Sequence, residues 1–305
     1  MHGSIAGVMV ANAGQRLIVE VRWGANAGRK AVVEPGRVLR VGRAEPAQLV
    51  VADDTGVSAP HFELAWDGAT CRLKHLASGA DTLLDGQRVD EAEVSHGAWV
   101  RAGQTDFSVY FECNTPPPPP AGPESAERLA RKARALEVLS GLTEPLFAVL
   151  DAARDERIPV LLRESVEEYR SLYEGAQGEA MAEIAPYVVH LPGDSRLLRS
   201  LVQEGWGRNW GIFLSSQRPF KDVRRHLRKF LMVKDSVSRD LYFRFYDPRV
   251  LRVFLPTSWP EQNQALFEGV RAYWAEGDDG TSLLRFALKE QALHRELVPL
   301  DESPA

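Results

Sequence analysis

The feature that most constrains this chain is a run of five consecutive prolines beginning at Pro116. Consecutive prolines have no backbone N–H to give to a sheet or helix, and they hold the extended polyproline II conformation. The run therefore predicts a semi-rigid spacer of about 3 Å per residue between two folded parts. We expect a domain at residues 1–113, a linker at 114–123 and a second domain at 124–305. A binding site for a proline-reading module is the alternative interpretation of the same run.

Composition is that of a globular protein. The 305 residues suffice for two domains with a core each, and 44% apolar and 26% charged residues are typical values. The formal net charge of -5 argues against nucleic acid as the main partner, because phosphate binding requires a basic face. No stretch approaches the ~20 apolar residues of a membrane span, so we expect no membrane partner.

Cysteine usage and the N-terminus both favour the cytoplasm. Cys71 and Cys113 are the two cysteines, and neither has a neighbour at metal-ligand spacing. We predict two free thiols in a reducing compartment, with a disulfide as the less favoured alternative. The apolar run from Ile5 to Ala11 has no basic flank, which favours a first strand over a signal peptide.

The first part of the chain consists of short strand-like runs separated by Gly, Asn and Asp. The runs are RLIVEVRW, RVLRVG, AQLVVAD, HFELAWD, TCRLKHL, AWVRAG and TDFSVYFEC. Several short strands at this spacing predict an all-β sandwich.

A motif lies between these strands. Gly42-Arg43 closes one strand, and Ser58-Ala59-Pro60-His61 begins fifteen residues after Arg43. This pattern resembles that of the forkhead-associated (FHA) domain over about residues 16–112. The resemblance implies that Arg43 and Ser58 bind the phosphate of a phosphothreonine protein, with Thr82 beside them, and that Gly42 and His61 are structural. A forked guanidinium and a hydroxyl are suitable phosphate donors.

The next loop departs from the family pattern. Aligning Asp85-Gly86 with the family's Asn-Gly puts Ala80 where the peptide-gripping Asn is expected and Asp81 where Gly is expected. A carboxylate there repels phosphate by about 1 kcal/mol if partly exposed. Three interpretations of Arg43 and Ser58 stay open: phosphothreonine recognition, phosphate-independent docking of a protein, and a purely structural contact.

The second part alternates strand-like and helix-like segments, which predicts a mixed α/β domain. The predicted strands are LFAVLDA, PYVVHL, WGIFLSS and YFRFYD, and AYWAEGDDGTSLLRF is a predicted hairpin. The predicted helices are ESAERLARKARALEVLSG, with Leu129, Ala133, Leu136 and Val138 or Leu139 on its apolar face, then SRLLRSLVQEG after an Asp194 cap, KDVRRHLRKFLMV, and a segment after Pro260. The fold class is therefore multidomain, an all-β sandwich followed by an α/β domain.

One stretch, Leu241 to Trp259, predicts a buried strand that leads directly into an amphipathic helix. Asp247 is the predicted N-cap and Pro248 the first helical residue. Arg244 lies among aromatic residues and needs a partner, for which Asp247 or a backbone carbonyl is the nearest candidate.

The run Phe-Arg-Phe-Tyr-Asp-Pro-Arg-Val-Leu in this stretch resembles the hallmark of type VI secretion adaptor chaperones, long described as a domain of unknown function. Matching segments are LFAVLDAARDERIPVLL, YRSLYEG, APYVVHL, the Gly-Trp-Gly repeat around Trp206 and Trp210, and HLRKFLMV. The resemblance implies a non-catalytic protein without cofactor that joins a secreted effector protein to the VgrG spike. Its adaptor motif comprises Arg244, Asp247, Pro248 and Arg249.

The run Arg224, Arg225, Arg228 and Lys229 is either a solvated helix face or a partner-binding patch. No convergent set of catalytic residues is recognisable, so we do not predict an enzyme or a metal site. The alternative function is a phosphothreonine-dependent regulatory module of the secretion apparatus that loads no cargo.

Overall fold

The computed structural model describes residues 14–22, 26–119, 122–234 and 239–301. The predicted first strand from Ile5 to Ala11 lies outside these residues. Everything below concerns the described parts of the chain.

The chain divides into two compact units. Unit 1 comprises residues 1–116 with Glu164–Val166, and unit 2 comprises 117–163 and 167–305. The division falls within the proline run. Glu164–Val166 was assigned to the second domain by sequence, but it groups with unit 1 because the Cys113 N–H donates to its Glu164 carbonyl at 3.2 Å.

Unit 1 is an all-β sandwich, as the sequence predicts. Its strands are β1 (Leu17–Val21), β2 (Lys30–Val33), β3 (Arg37–Gly42), β4 (Leu49–Val50), β5 (Phe62–Trp66), β6 (Cys71–His75), β7 (Thr82–Leu84), β8 (Gln87–Arg88), β9 (Glu91–Val94), β10 (Trp99–Ala102) and β11 (Thr105–Phe111). One sheet has the order β2-β1-β11-β10-β7-β8 and the other β4-β3-β5-β6-β9. The short strands β2 and β7 to β9 were not among the predicted runs.

Alternation along the strands builds the core of the sandwich. Phe62, Leu64 and Trp66 of β5 are buried, whereas the residues between them are half-exposed. Phe62 packs edge-on against Phe107 of β11, with ring centroids 5.5 Å apart. Each fully buried aromatic side chain stabilises the fold by about 1.5–3 kcal/mol relative to exposure. Cys71 is buried and Cys113 is exposed, and no disulfide joins them.

Unit 2 is a mixed α/β domain, which confirms the predicted fold class. Its helices are α1 (Ala126–Ser140), α2 (Arg157–Arg163), α3 (Gly175–Ala180), α4 (Arg196–Gly205), α5 (Phe220–Arg228), α6 (Pro248–Thr257) and α7 (Pro260–Leu266). Its strands are β12 (Leu146–Asp151), β13 (Tyr169–Ser171), β14 (Pro186–Leu191), β15 (Gly211–Ser215), β16 (Met232–Lys234), β17 (Asp240–Tyr242), β18 (Ala272–Glu276), β19 (Ser282–Lys289) and β20 (Ala292–Pro299).

Seven of these strands form one sheet in the order β13-β14-β12-β15-β18-β19-β20. Each neighbouring pair is antiparallel. Central β12 is buried along its whole length. Leu146, Ala148 and Leu150 pack on one face with α1, α2 and α4, and Phe147 and Val149 pack on the other with α5, α6 and α7. The continuous apolar run of β12 thus reflects helices on both faces.

The prediction of a strand over Tyr242–Asp247 is wrong. β17 ends at Tyr242 and pairs with β16 in a separate two-stranded hairpin. The Asp247 N–H donates to the Arg244 carbonyl at 3.0 Å, so the chain makes a tight turn here instead of a sheet ladder. Phe245 and Tyr246 are nevertheless buried, because α6 folds back over them.

Two helix details also differ from expectation. The buried face of α1 is Lys132, Ala135 and Leu139, whereas Leu129 and Ala133 are exposed. Ser195, not Asp194, caps α4, since its side chain accepts the Leu198 N–H at 3.0 Å. In each case the prediction is shifted by about one residue. One residue corresponds to a rotation of about 100° around the helix axis, which changes the side chains that face the sheet or reach the free N–H groups.

Candidate functional sites

The loops at one end of the sandwich hold Arg43 and Ser58 together. Arg43 directly follows β3, and its N–H donates to the Ser58 carbonyl at 2.9 Å. Gly42 allows this approach, because a Cβ there would lie 3.0 Å from both the Ser58 oxygen and the Pro60 Cα. The Arg43 side chain is exposed, and within the described residues no hydrogen bond or ion pair engages its guanidinium. The site therefore joins the backbones of an arginine with an exposed side chain and a half-buried serine.

His61 connects the loops around this site. Its Nδ1 accepts the Ser58 N–H at 3.0 Å, so the proton lies on Nε2, which donates to the Asp81 carbonyl at 3.1 Å. The His61 carbonyl also accepts the N–H groups of Leu76 and Ala77. The ring is fully buried, and burial lowers its pKa. His61 is thus neutral and ties the Ser58 loop to the Asp81 loop.

This burial predicts a loss of sandwich stability on mild acidification. Because the folded pKa of His61 lies below the unfolded value of about 6.5, the unfolded chain binds more protons below that pH. Stability is therefore complete above about pH 6.5 and falls by up to about 1.4 kcal/mol per pH unit below it. Hydrogen exchange of the β5 amides at pH 7.5 and 5.5, corrected for intrinsic rates, measures the slope. His61→Asn should be less stable but show a flatter slope, and an equal slope in both proteins would contradict the assignment.

Thr82 lies in the interior of the sandwich, beneath the loop that contains Asp81. Its side chain is fully buried, and its hydroxyl pairs with His75 Nδ1 at 2.8 Å. The role in peptide binding that the FHA resemblance implies for Thr82 stays a prediction. Thr82 anchors the start of β7 beneath the loop.

Asp81 has a partner that sequence reasoning missed. Its Oδ1 lies 3.2 Å from Nη1 of Arg88, and both side chains are more than half exposed. The hairpin of β7 and β8 brings them together. Arg88 therefore offsets the negative charge that Asp81 would otherwise present to a phosphate, although an exposed pair of this kind contributes less than about 1 kcal/mol.

In unit 2, Arg244 pairs with Asp151 at the end of β12, not with Asp247. The Asp151 side chain is 2% exposed and the Arg244 side chain 42% exposed. Asp151 also accepts the Ala153 N–H at 3.3 Å. The ion pair thus joins the turn before α6 to the central strand of the sheet.

Asp247 caps α6 as predicted. Its carboxylate accepts the Arg249 N–H at 3.0 Å and the forked Arg249 side chain at 3.0 and 2.6 Å. Burial opposes ionisation of Asp247, but these bonds hold its pKa below the usual value. Pro248 occupies the first helical position, where its missing N–H costs nothing.

Tyrosines surround the Arg244 turn. Tyr173 and Tyr242 pack edge-on with ring centroids 5.8 Å apart. Burial, with the charge of Asp151, raises the pKa of Tyr246 to about 12. The motif therefore gathers β12, the loop after β13 and the β17 turn at one place. Arg244 Nε is buried there and has no hydrogen-bond partner among the described residues.

Two cations of the Arg224 to Lys229 run hold the loop after β13. Arg224 Nε donates to the Ser171 carbonyl at 2.8 Å, and Arg228 Nε donates to the Leu172 carbonyl at 2.9 Å. Both also pair with Glu174. Arg225 and Lys229 are more exposed and pair with Asp222 and Glu268. Half of the candidate patch is thus structural.

Exposed apolar side chains follow the motif. Val253 on the outer face of α6 is 66% exposed, and Trp259 just after it is 73% exposed. Trp206, Trp210 and Trp274 are buried, so Trp259 differs from these tryptophans in its exposure.

In the described ranges, no group of three side chains has the arrangement of a metal site. None of the helices described there is both long and apolar enough to traverse a bilayer.

Two family models match the chain. Residues 20–112 match "Inner membrane component of T3SS, cytoplasmic domain", and residues 146–265 match "Domain of unknown function (DUF4123)". A curated FHA domain-containing protein, FhaA of Mycobacterium tuberculosis, is 35% identical over 69 residues. The chain combines an FHA domain with a DUF4123 domain. The match to FhaA covers 23% of this chain and 13% of the relative's length.

Solved structures similar to the FHA domain include that of CT664 from Chlamydia trachomatis and the cytoplasmic domain of the sorting platform protein PscD from P. aeruginosa. The first is 21% identical and covers 31% of this chain and 96% of its own, with a TM-score of 0.30. The second is 24% identical and covers 36% and 93%, also with a TM-score of 0.30.

The DUF4123 match contains the whole adaptor motif as well as Asp151 and Trp259. The sequence analysis did not identify Asp151 as the partner of Arg244. A charged residue at the end of a wholly apolar strand, as Asp151 is, indicates that a partner of opposite charge lies nearby. Arg88 had no such signal, because its pairing depends on the β7–β8 hairpin.

Proposed function

We propose that this protein is a cytoplasmic, non-catalytic adaptor that binds a type VI secretion effector and loads it onto the VgrG spike. The DUF4123 match over residues 146–265 carries the proposal. Its motif is built from mutually bonded Arg, Asp and Tyr side chains, which suits a rigid binding scaffold and leaves no free acid or base for catalysis among them. We assign residues 1–113 to the FHA domain, 114–123 to the linker and 124–305 to the adaptor domain.

Within this proposal the FHA domain recognises a phosphothreonine protein. Arg43 and Ser58 are the phosphate ligands, since their backbones are bonded to each other and an exposed guanidinium and a hydroxyl offer charge-assisted and neutral donors to a phosphate. Gly42 and His61 position them, and Arg88 offsets Asp81.

Cargo is bound by the apolar surface of Val253 and Trp259 in the adaptor domain. Large exposed apolar side chains, aromatic ones above all, are common centres of protein interfaces. Trp259→Ala should lower the recovery of effector and VgrG at least tenfold with an unchanged melting temperature. Leu129→Ala is the matched control, because Leu129 is 52% exposed and lies outside the DUF4123 match.

The test is co-purification of the tagged protein from its native cell, followed by mass spectrometry. Recovery of both an effector and VgrG supports loading. Recovery of a threonine kinase or phosphatase without an effector would instead support the regulatory module. Equal recovery by the Trp259 and Leu129 variants would move the cargo surface elsewhere.

A further inference from the structure

The last strand of the seven-stranded sheet is an open edge. β20 pairs with β19 along eight residues and has no second neighbour among the residues that the structure describes. Most of its residues are exposed, and Leu297 is 57% exposed. The opposite edge, β13, has three residues. Proteins usually keep their edge strands short, covered or charged. Because β20 is long and exposed, it is a candidate for the addition of a strand from a partner.

The β19–β20 turn determines which backbone groups face outward. Glu290 and Gln291 both have positive φ and form a two-residue turn closed by the pair Lys289 and Ala292. This closing pair is hydrogen-bonded, and bonded pairs recur at every second residue. Ala292, His294, Glu296 and Val298 therefore bond to β19, and Leu293, Arg295 and Leu297 direct their N–H and C=O groups away from it. In the described chain no hydrogen bond reaches these outward groups.

The side chains at the open positions share one face by alternation. Leu293 packs at the margin of the core with α7, Leu297 is exposed, and Arg295 lies between them. No carboxylate of the described residues pairs with Arg295. The neighbouring Glu296, on the other face, is already paired with Arg285 at 3.2 Å. The open face thus presents an apolar, a positively charged and an apolar side chain, Leu293, Arg295 and Leu297, over about 14 Å.

We propose that β20 binds an extended segment of a partner protein that carries an acidic residue between two apolar ones at alternate positions. The segment adds a strand to the sheet, its backbone bonds to Leu293, Arg295 and Leu297, and its carboxylate pairs with Arg295. The inference uses neither Arg43 nor Trp259, and it does not depend on the identity of the secretion system.

A second copy of the chain fits this edge less well. An antiparallel register that pairs Leu293 with Leu297 of the other copy places the two Arg295 side chains directly opposite each other. Like charges opposite one another destabilise a strand pair. Arg295 therefore disfavours self-association and favours an acidic partner.

The probe is the blocked peptide Thr-Leu-Lys-Asp-Thr-Leu-Thr, titrated into the full-length protein and compared with the version that has Lys in place of Asp. We expect saturable binding of the first peptide and at least tenfold weaker binding of the second. Arg295→Glu should reverse this preference, which a folding defect cannot do. In the complex, hydrogen exchange should slow at the amides of Leu293, Arg295 and Leu297, whereas those of His294 and Glu296 should not change.

Leu297→Pro provides the backbone test, because it removes an outward N–H without removing a bond to β19. We expect it to abolish peptide binding. Failure of the wild type to bind the peptide, or an unchanged preference in Arg295→Glu, would overturn the proposal. A doubled mass of the wild type in light scattering that Leu297→Pro restores to monomer would assign the edge to a second copy instead.

Discussion

Arg43→Ala is expected to bind a phosphothreonine peptide at least tenfold more weakly than the wild type, a loss of about 1.4 kcal/mol or more. The substitution removes a forked, charged donor that is exposed and has no partner of its own among the described residues. The backbone hydrogen bond to the Ser58 carbonyl is retained, because alanine at position 43 has the same backbone N–H as arginine. The FHA domain should therefore melt at the same temperature. Titration of a phosphothreonine peptide library by fluorescence anisotropy, with melting curves, measures both effects.

Arg72→Ala is the matched control, since Arg72 is an exposed arginine on β6 of the same sandwich. It should leave peptide affinity within twofold of the wild type. The unphosphorylated library serves as the second control. Equal binding of both libraries by the wild type would remove the phosphate role of Arg43 and leave phosphate-independent docking.

Arg244→Ala is expected to lower the free energy of unfolding of the DUF4123 domain by about 3 kcal/mol. The partner, Asp151, is 2% exposed, and the variant leaves its carboxylate with the Ala153 N–H alone. The part of Arg244 that reaches solvent limits the loss to the lower end of the range for buried ion pairs. The change in the free energy of unfolding is measured by unfolding the full chain in urea and monitoring the hydrogen exchange of the β12 amides.

Arg249→Ala provides the comparison within the same motif. Arg249 is 51% exposed, and the Asp247 cap keeps its bond from the backbone N–H of residue 249 in the variant. Its loss of stability should therefore stay below about 1 kcal/mol. Both proteins are also tested for recovery of effector and VgrG. A fully stable Arg244→Ala protein that has lost these partners would show that the motif itself is the contact site.

The sequence by itself determined the local structure well. Alternation of β5, with Phe62, Leu64 and Trp66 inward, predicted the sandwich, and Asp247-Pro248 predicted the start of α6. These two signals are local, because caps, turns and periodicity depend on residues within a few positions of one another. The open edge of β20 went unnoticed, since the position of a strand in its sheet is not encoded in its own residues.

Contacts between distant segments were decided by tertiary structure alone. Arg244 and Asp151 are 93 residues apart, and the sequence offered the nearer Asp247 as partner. The turn at Arg244 places its side chain against the end of β12, and the Asp247 carboxylate is already bonded to Arg249. In the same way the buried Thr82 hydroxyl bonds to His75, and the Arg88 side chain lies close to Asp81 and offsets part of its charge. A residue's spacing fixes which neighbours it can reach along the chain, but only the packing of the sheets fixes which charge or donor lies across from it.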